Sequence, residues 1–500
     1  MTGSWLQRQA QLHPERPAFY WHEKSWSFAA LQKEVYAYAA YYQAQFVDQP
    51  NRVALFSNNS PEMVFTILAL WELGIEVQLL NTRLTAAEIS FQLQDAHCDW
   101  VITADQAAVS GVRNLTFGQA IKQAEAFIGS VVPSFVPNEA IYQAEQVASI
   151  MYTSGTTGNP KGVPQTFGNH LASAEATQKN LAITSEDCWL CAVPLYHISG
   201  LSILLRSLRL GMSVRLYERF DAGEMAKDLE AGKGTIVSLV AKMLTDLLPL
   251  VPKQGFDSLR YVLLGGGPIA KSVLEKCQQK QLSVIQSYGM TETCSQVVAL
   301  PPEKASEKIG SSGVPLQGVH LRIAVDAKMA DHQTAESTQS IGEIQLQGPA
   351  ITTRYLKNDR SPQQWDQEGW FATGDLGYLD QEGFLYVVSR ASELIISGGE
   401  NIYPAEVEQA LLQHPAVKEA AVVGEPDEEW GQSVAAYLTL NQPIHFQALL
   451  DTLEGQIAHY KFPRRFYHVR EMPRTASGKV LKRLLLSEER VNYIEQQINK

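Results

Sequence analysis

Apolar residues fall in short runs separated by polar, helix-opening segments, the pattern of strands and helices that alternate in a doubly wound sheet. Arg52 to Phe56 reads as a strand, Ser60-Pro61-Glu62 as a helix start with proline in the first turn, and Gly74 to Leu80 as the next strand. Thr85 and Glu88 form a capping box that opens a second helix, and Trp100 to Thr103 is a third strand. The rhythm returns as a strand over Thr235 to Leu239, a helix from Ala241 to Leu248, a strand over Tyr261 to Leu264, a helix from Ile269 to Gln279 and a strand over Val284 to Gln286. No internal repeat is evident beyond that shared rhythm. After Ser311 the chain turns strand-rich, with one polar loop from Lys328 to Ser340 whose composition suits an exposed connection.

Between the two runs, the apolar stretch Val147 to Tyr152 leads into Thr153-Ser-Gly-Thr-Thr-Gly-Asn-Pro-Lys-Gly162, and the chain continues as a short strand from Gly162 to Phe167. Such a loop is suited to phosphate. Gly155 and Gly158 let backbone N–H groups converge on an anion, Ser154, Thr156 and Thr157 add hydroxyls, and Lys161 brings a positive charge. The usual nucleotide loop G-x-x-x-x-G-K-[ST] is not matched, because Gly155 and Gly158 are too close and Gly162 follows the lysine.

Ligands of open α/β sheets sit at the carboxyl ends of parallel strands. Gly265-Gly266-Gly267-Pro268 ends one strand and Ser287-Tyr288-Gly289-Met290-Thr291-Glu292 ends the next, so adjacent strands would bring them into one pocket. The stretch Gly265 to Ala270 also satisfies the dinucleotide fingerprint G-x-G-x-x-A, which keeps a nicotinamide-dependent oxidoreductase as the weaker alternative; Pro268 sits in the turn, and Tyr288 stands where a ribose-binding acid would be expected. Tyr288 suits stacking on adenine, and Glu292 suits Mg2+ together with water and phosphate oxygens.

The 500 residues exceed what one hydrophobic core normally serves, so two or more domains are expected. A net charge of -12 argues against nucleic acid as a partner, which leaves an anionic ligand to local groups such as Lys161. The five cysteines are scattered and odd in number, which fits a reducing compartment; Cys188-Trp-Leu-Cys191 has metal or redox spacing but no completing pair, and reads as a buried strand. No stretch approaches the roughly 18 apolar residues of a membrane span, and the first residues lack a signal-peptide core, so a cytoplasmic protein is expected.

Thr153 to Gly162, Tyr288-Gly-Met-Thr-Glu292, Thr373-Gly-Asp375, Ser389-Arg390, Gly398-Gly-Glu-Asn-Ile-Tyr-Pro-Ala-Glu406 and Arg474-Thr-Ala-Ser-Gly-Lys479 stand in the order found in adenylate-forming enzymes. The chain therefore resembles acyl-CoA synthetases, luciferases and peptide-synthetase adenylation domains over nearly its whole length. The resemblance implies an α/β fold: a large N-terminal domain of doubly wound sheets plus a strand-rich subdomain, residues 1–389, and a small mobile C-terminal α/β domain, residues 390–500. It implies ATP, Mg2+ and coenzyme A as cofactors and a small-molecule acid as substrate. Homo-oligomerisation is left open.

By that resemblance Lys479 is the catalytic lysine of adenylation, with Lys161 and His197 as further catalytic candidates. Thr153 to Gly158, Gly266, Gly267, Pro268, Tyr288, Gly289 and Thr291 would bind the nucleotide, Asp375 and Arg390 its ribose, and Glu292 the metal. Gly398, Gly399 and Glu400 would line a pantetheine tunnel after the small domain turns. The pivot falls at Ser392, where relatives usually carry Asp or Lys. Lys461, Arg464 and Arg465 would meet CoA phosphates or form a solvated basic cluster.

For the acid, Pro194-Leu-Tyr-His-Ile-Ser-Gly-Leu-Ser202, the stretch from Tyr288 to Gln296 and Ile395 to Pro404 are most similar to the o-succinylbenzoate:CoA ligases of menaquinone biosynthesis. His197 would border the acyl pocket, and Ser199 and Gly200 would leave room and a donor for the carboxylate that does not react. A synthetase for another aryl or fatty acid would share most of these residues, so the acid stays open between the two.

Overall fold

The structure is a computed structural model that describes residues 4–104, 109–128, 142–153, 160–266, 269, 271–325, 340–357, 364–398, 400–474 and 480–498. A six-stranded sheet runs in the order Arg113–Thr116, Trp100–Thr103, Arg52–Phe56, Glu76–Leu80, Val147–Thr153, Lys161–Thr166. Its pairs are parallel except the last, where Lys161–Thr166 folds back antiparallel and sets Lys161 opposite Thr153. The nine-stranded sheet is parallel from Pro17–Trp21 through Ser213–Leu216, Cys188–Cys191, Ile236–Leu239 and Tyr261–Leu264 to Val284–Met290, with antiparallel strands at both edges.

Local chemistry accounts for the element ends. The Ser60 side chain accepts from Met63 N–H to cap Pro61–Glu72, a helix buried along nearly its whole length. Gly74, at φ +76°, closes that helix in the left-handed region, so the strand expected from Gly74 starts at Glu76. Both halves of the Thr85–Glu88 capping box are made. The strand expected over Val284 to Gln286 runs on to Met290 because Ser295–Ala299 pairs with its far end. One apolar core joins the two sheets, with Val53, Leu55 and Val77 from the first packed with Trp189, Val214 and Ile236 from the second. Cys191 is buried in this core, in the strand that the Cys-x-x-Cys spacing had marked.

An antiparallel meander, His320–Ala324, Gly342–Gln347, Phe371–Leu379 and Leu385–Arg390, forms the strand-rich part of the large domain. Nearly all of the polar loop expected over Lys328 to Ser340 lies outside the described residues. The small domain holds the ribbon Ile395–Ser397 with Glu400–Ile402, and a mixed sheet of Val417–Asp427, Gly431–Leu440, Arg465–Val469 and Ile494–Ile498 with its own apolar core. No described helix is long and apolar enough to cross a membrane.

Candidate active site

The parallel pairing of Tyr261–Leu264 with Val284–Met290 brings their carboxyl ends together, and the Ser287 hydroxyl donates to the Leu264 carbonyl at 3.0 Å. Gly266, at φ +88°, starts the turn beyond the first strand. Gly289 is required by packing, since a Cβ there would lie 2.1 Å from the Ser295 carbonyl oxygen across the hairpin. Next to it, the buried Tyr288 donates its phenol to Asp375 Oδ2 at 2.8 Å, and Arg390 Nε meets Asp375 Oδ1 at 2.9 Å. Asp375 and Arg390 are register partners of the meander, so a sheet from one part of the chain delivers both to the end of a strand from another.

Glu292 is buried just beyond, in the short turn Thr291–Thr293. The Thr291 carbonyl that anchors this turn accepts from the Gln165 amide at 2.8 Å. Glu292 Oε1 accepts from Tyr355 Oη at 3.0 Å and from the Thr153 hydroxyl at 3.5 Å. Burial pushes its carboxyl above the ordinary range, with partial relief from the Tyr355 hydroxyl and the charges of Arg390 and Lys161. Lys161 is itself buried, with Nζ 3.4 Å from Gln364 Oε1 and 5.0 Å above the Tyr355 ring; burial lowers its pKa and the charge of Glu292 opposes that shift.

These residues fit Mg2+. A buried carboxylate whose charge is disfavoured gains from a cation beside it, and one oxygen is already oriented by a donor. Among the described residues no group of three acidic, His or Cys side chains could enclose a metal, so its other ligands would be water and phosphate oxygens.

His197 caps the helix Ile198–Leu210 at the end of the chain segment that follows Cys188–Cys191. Its Nε2 is buried without a hydrogen-bond partner, and burial, with the nearby Arg83 charge, lowers its pKa to about 4. The imidazole is therefore neutral at pH 7. Ser199 is exposed, whereas Gly200 is buried and a Cβ on it would approach the Pro194 carbonyl oxygen to 2.3 Å. The room expected at Gly200 is thus filled by the turn that carries His197. The same helix carries Arg206, only 1% exposed, with Nη2 3.0 Å from Gln296 Oε1, its guanidinium 5.1 Å over the Trp189 ring and Nε unpartnered. No carboxylate pairs with it among the described residues, and burial lowers its pKa to about 9.

Ser154, Gly155, Thr156, Thr157, Gly158, Gly267, Pro268, Gly399 and Lys479 lie outside the described residues. Gly398 takes φ +60°, and a Cβ there would meet the Trp430 ring at 2.5 Å, so its openness is used by an indole; Glu400 is exposed on the strand Glu400–Ile402. Ser392 is exposed in the short turn Ala391–Glu393, and the next residue, Glu393, is tied to Lys482 at 3.1 Å. Of the basic cluster, Lys461 pairs with Glu406 and Arg465 with Glu425, while Arg464 lies 4.7 Å over Trp430.

Comparison with known proteins agrees with this geometry. A family model described as AMP-binding enzyme matches residues 6–356, and one described as AMP-binding enzyme C-terminal domain matches residues 406–479. The chain belongs to the AMP-binding enzyme family. Within this family it is 49% identical over 494 residues, 98% of this chain and 99% of the relative, to the 2-succinylbenzoate–CoA ligase of Enterococcus faecalis. The o-succinylbenzoate CoA synthetase of Bacillus subtilis in complex with ATP and magnesium ion superposes with a TM-score of 0.88 at 41% identity, covering 97% of this chain and 100% of that one. A double mutant of the same synthetase bound with its product analogue superposes at 0.72 with the same identity, covering 97% and 98%.

Sequence reasoning missed Tyr355 and Arg206. Tyr355 meets Glu292 across 63 residues, and no local spacing announces it. Arg206 did carry a signal: a cation directly after the apolar run Ile203-Leu-Leu205, within a helix.

Proposed function

We propose that the chain is an ATP-dependent acid:CoA ligase that converts 2-succinylbenzoate to its CoA thioester through an acyl-adenylate, a step of menaquinone biosynthesis. The observation that carries the reading is the buried Tyr288–Asp375–Arg390 cluster beside Glu292, in a chain aligned along 98% of its length with a 2-succinylbenzoate–CoA ligase.

A carboxylate is a poor electrophile because its charge is delocalised. Its oxygen attacks the α-phosphorus of ATP, the bond to the β-phosphate bridge breaks, and pyrophosphate leaves. Charge that builds on the phosphates is met by the backbone N–H groups of the loop from Thr153 to Gly158, by Lys161 and by Lys479. Glu292, with water and phosphate oxygens, would hold Mg2+, which when bound neutralises phosphate charge. Asp375 accepts from the ribose hydroxyls, Arg390 holds Asp375 in place, and Tyr288 packs beside the base. Gly266, Gly289 and Thr291 would line the nucleotide pocket, with Gly267 and Pro268 as further nucleotide-binding residues by the family resemblance.

In the second half-reaction the CoA sulfur attacks the acyl carbon, AMP leaves and the thiol proton passes to solvent. The small domain, from residue 390, turns about Ser392, so that Lys479 departs and Gly398, Gly399 and Glu400 approach. The lower superposition on the product-analogue complex than on the ATP complex, at equal identity, supports such a rearrangement. Neutral His197 borders the acyl pocket. Ser199 offers a donor at its rim, and Arg206 supplies the interior positive charge that favours a substrate with a second carboxylate.

Incubation with ATP, Mg2+, CoA and a panel of acids tests the reading: AMP and a thioester of 2-succinylbenzoate should accumulate together. AMP formation without thioester, or nicotinamide reduction instead, would reject it.

A further inference from the structure

Tyr355 lies between the two charged groups that the proposed adenylation chemistry uses, and it belongs to none of the motifs that pointed to that chemistry. It is 4% exposed, and its hydroxyl donates to Glu292 Oε1 at 3.0 Å. The face of the same ring takes Lys161 Nζ at 5.0 Å, and its edge packs on Trp365 with centroids 5.2 Å apart at 67°. The backbone around it is fastened at both ends: Thr352 N–H donates to the Glu292 carbonyl at 2.8 Å, and Leu356 N–H donates to the Gly162 carbonyl at 2.9 Å. The Trp365 indole closes the segment by donating to the Thr352 carbonyl at 2.8 Å. The ring is therefore fixed relative to both the Glu292 turn and the Lys161 strand.

We propose that Tyr355 is a positioning residue, whose hydroxyl orients the Glu292 carboxylate for the divalent cation and whose ring holds Lys161 beside the phosphate loop. The inference rests on the reading of Glu292 as the metal-holding carboxylate. The Tyr355 and Thr153 hydroxyls both reach Oε1, and no side-chain donor occupies Oε2 among the described residues, so the Tyr355 hydroxyl fixes the orientation of the group while leaving one oxygen for a cation. A tyrosine suits this place because its hydroxyl supplies one donor to the carboxylate while its ring offers a face to the lysine.

The test uses the full chain and Tyr355→Phe, which removes one oxygen and keeps the ring against Lys161 and Trp365. Loss of a hydrogen bond to a charged group predicts that half-maximal pyrophosphate release needs about tenfold more Mg2+. Mn2+ affinity, read by electron paramagnetic resonance with a non-hydrolysable ATP analogue, should weaken by about the same factor, while AMP affinity without divalent cation stays within about twofold. Tyr355→Leu should show the same metal shift and, in addition, weaker ATP binding, because Lys161 loses its ring. The proposal is overturned if Tyr355→Phe matches wild type in both metal readouts while Glu292→Gln shifts them. If Glu292→Gln shifts neither, the metal reading itself fails and this inference falls with it.

Discussion

Asp375 and Arg390 are register partners across an antiparallel hairpin, and the carboxylate so held is shared with the phenol of Tyr288, which comes from a different sheet. One buried carboxylate thus joins the end of a parallel strand to the last strand before the small domain. Its proposed second role, as acceptor for the ribose, makes a direct prediction. Asp375→Ala should weaken ATP and AMP binding by about tenfold or more, the cost of losing charge-assisted hydrogen bonds, and isothermal calorimetry with AMP reads this without catalysis. Unchanged AMP affinity would remove Asp375 from the nucleotide site.

Lys479→Ala should depress pyrophosphate release by about 100-fold or more, since a cation on the transferring phosphate is lost. Thioester formation from presynthesised acyl-adenylate should remain close to wild type, because the proposal has the lysine serve only the first orientation. Equal loss in both half-reactions would contradict the assignment.

What the sequence disclosed follows from how far apart the partners lie. Thr85 and Glu88 are three residues apart, and their capping box was readable because both groups belong to one turn. The order of the parallel strands around Tyr261–Leu264 was likewise readable, as each βαβ unit is local. Tyr355 and Gln364 converge on Glu292 and Lys161 only after distant parts of the chain pack, so spacing gave no hint of them. Gly200 suggests room for substrate, whereas the local turn from Pro194 to His197 already uses its missing side chain.

Ser392→Pro tests the pivot. The proline ring fixes φ at the residue proposed to change conformation between the two steps, so the CoA step should slow more than adenylation. Stopped-flow comparison of pyrophosphate release with thioester formation separates the steps, and equal rates to wild type would move the pivot elsewhere.

His170 and His197 should contribute to the acid limb of stability. Burial lowers His170 from its usual 6.5 to about 3 and His197 to about 4. Below pH 6.5 the unfolded chain takes up protons that the folded chain refuses, so stability should fall as pH drops toward 4, by about 1.4 kcal/mol per pH unit for each histidine. His170→Gln should reduce that slope, measured by denaturant unfolding at several pH values between these limits; an unchanged slope would contradict the burial argument.

The central claim is the acid. An analogue without the second carboxylate leaves its donors unpaired, at about 1–3 kcal/mol for each one that the bound acid covers. The deciding measurement is therefore the ratio of kcat/KM for 2-succinylbenzoate to that for 4-oxo-4-phenylbutanoate, in wild type and in Arg206→Gln and Ser199→Ala. The account predicts a ratio of about 10 or more in wild type, narrowed in the variants chiefly through loss with the dicarboxylate. A wild-type ratio near one, or a preference for a coumarate or a medium-chain fatty acid, would contradict it.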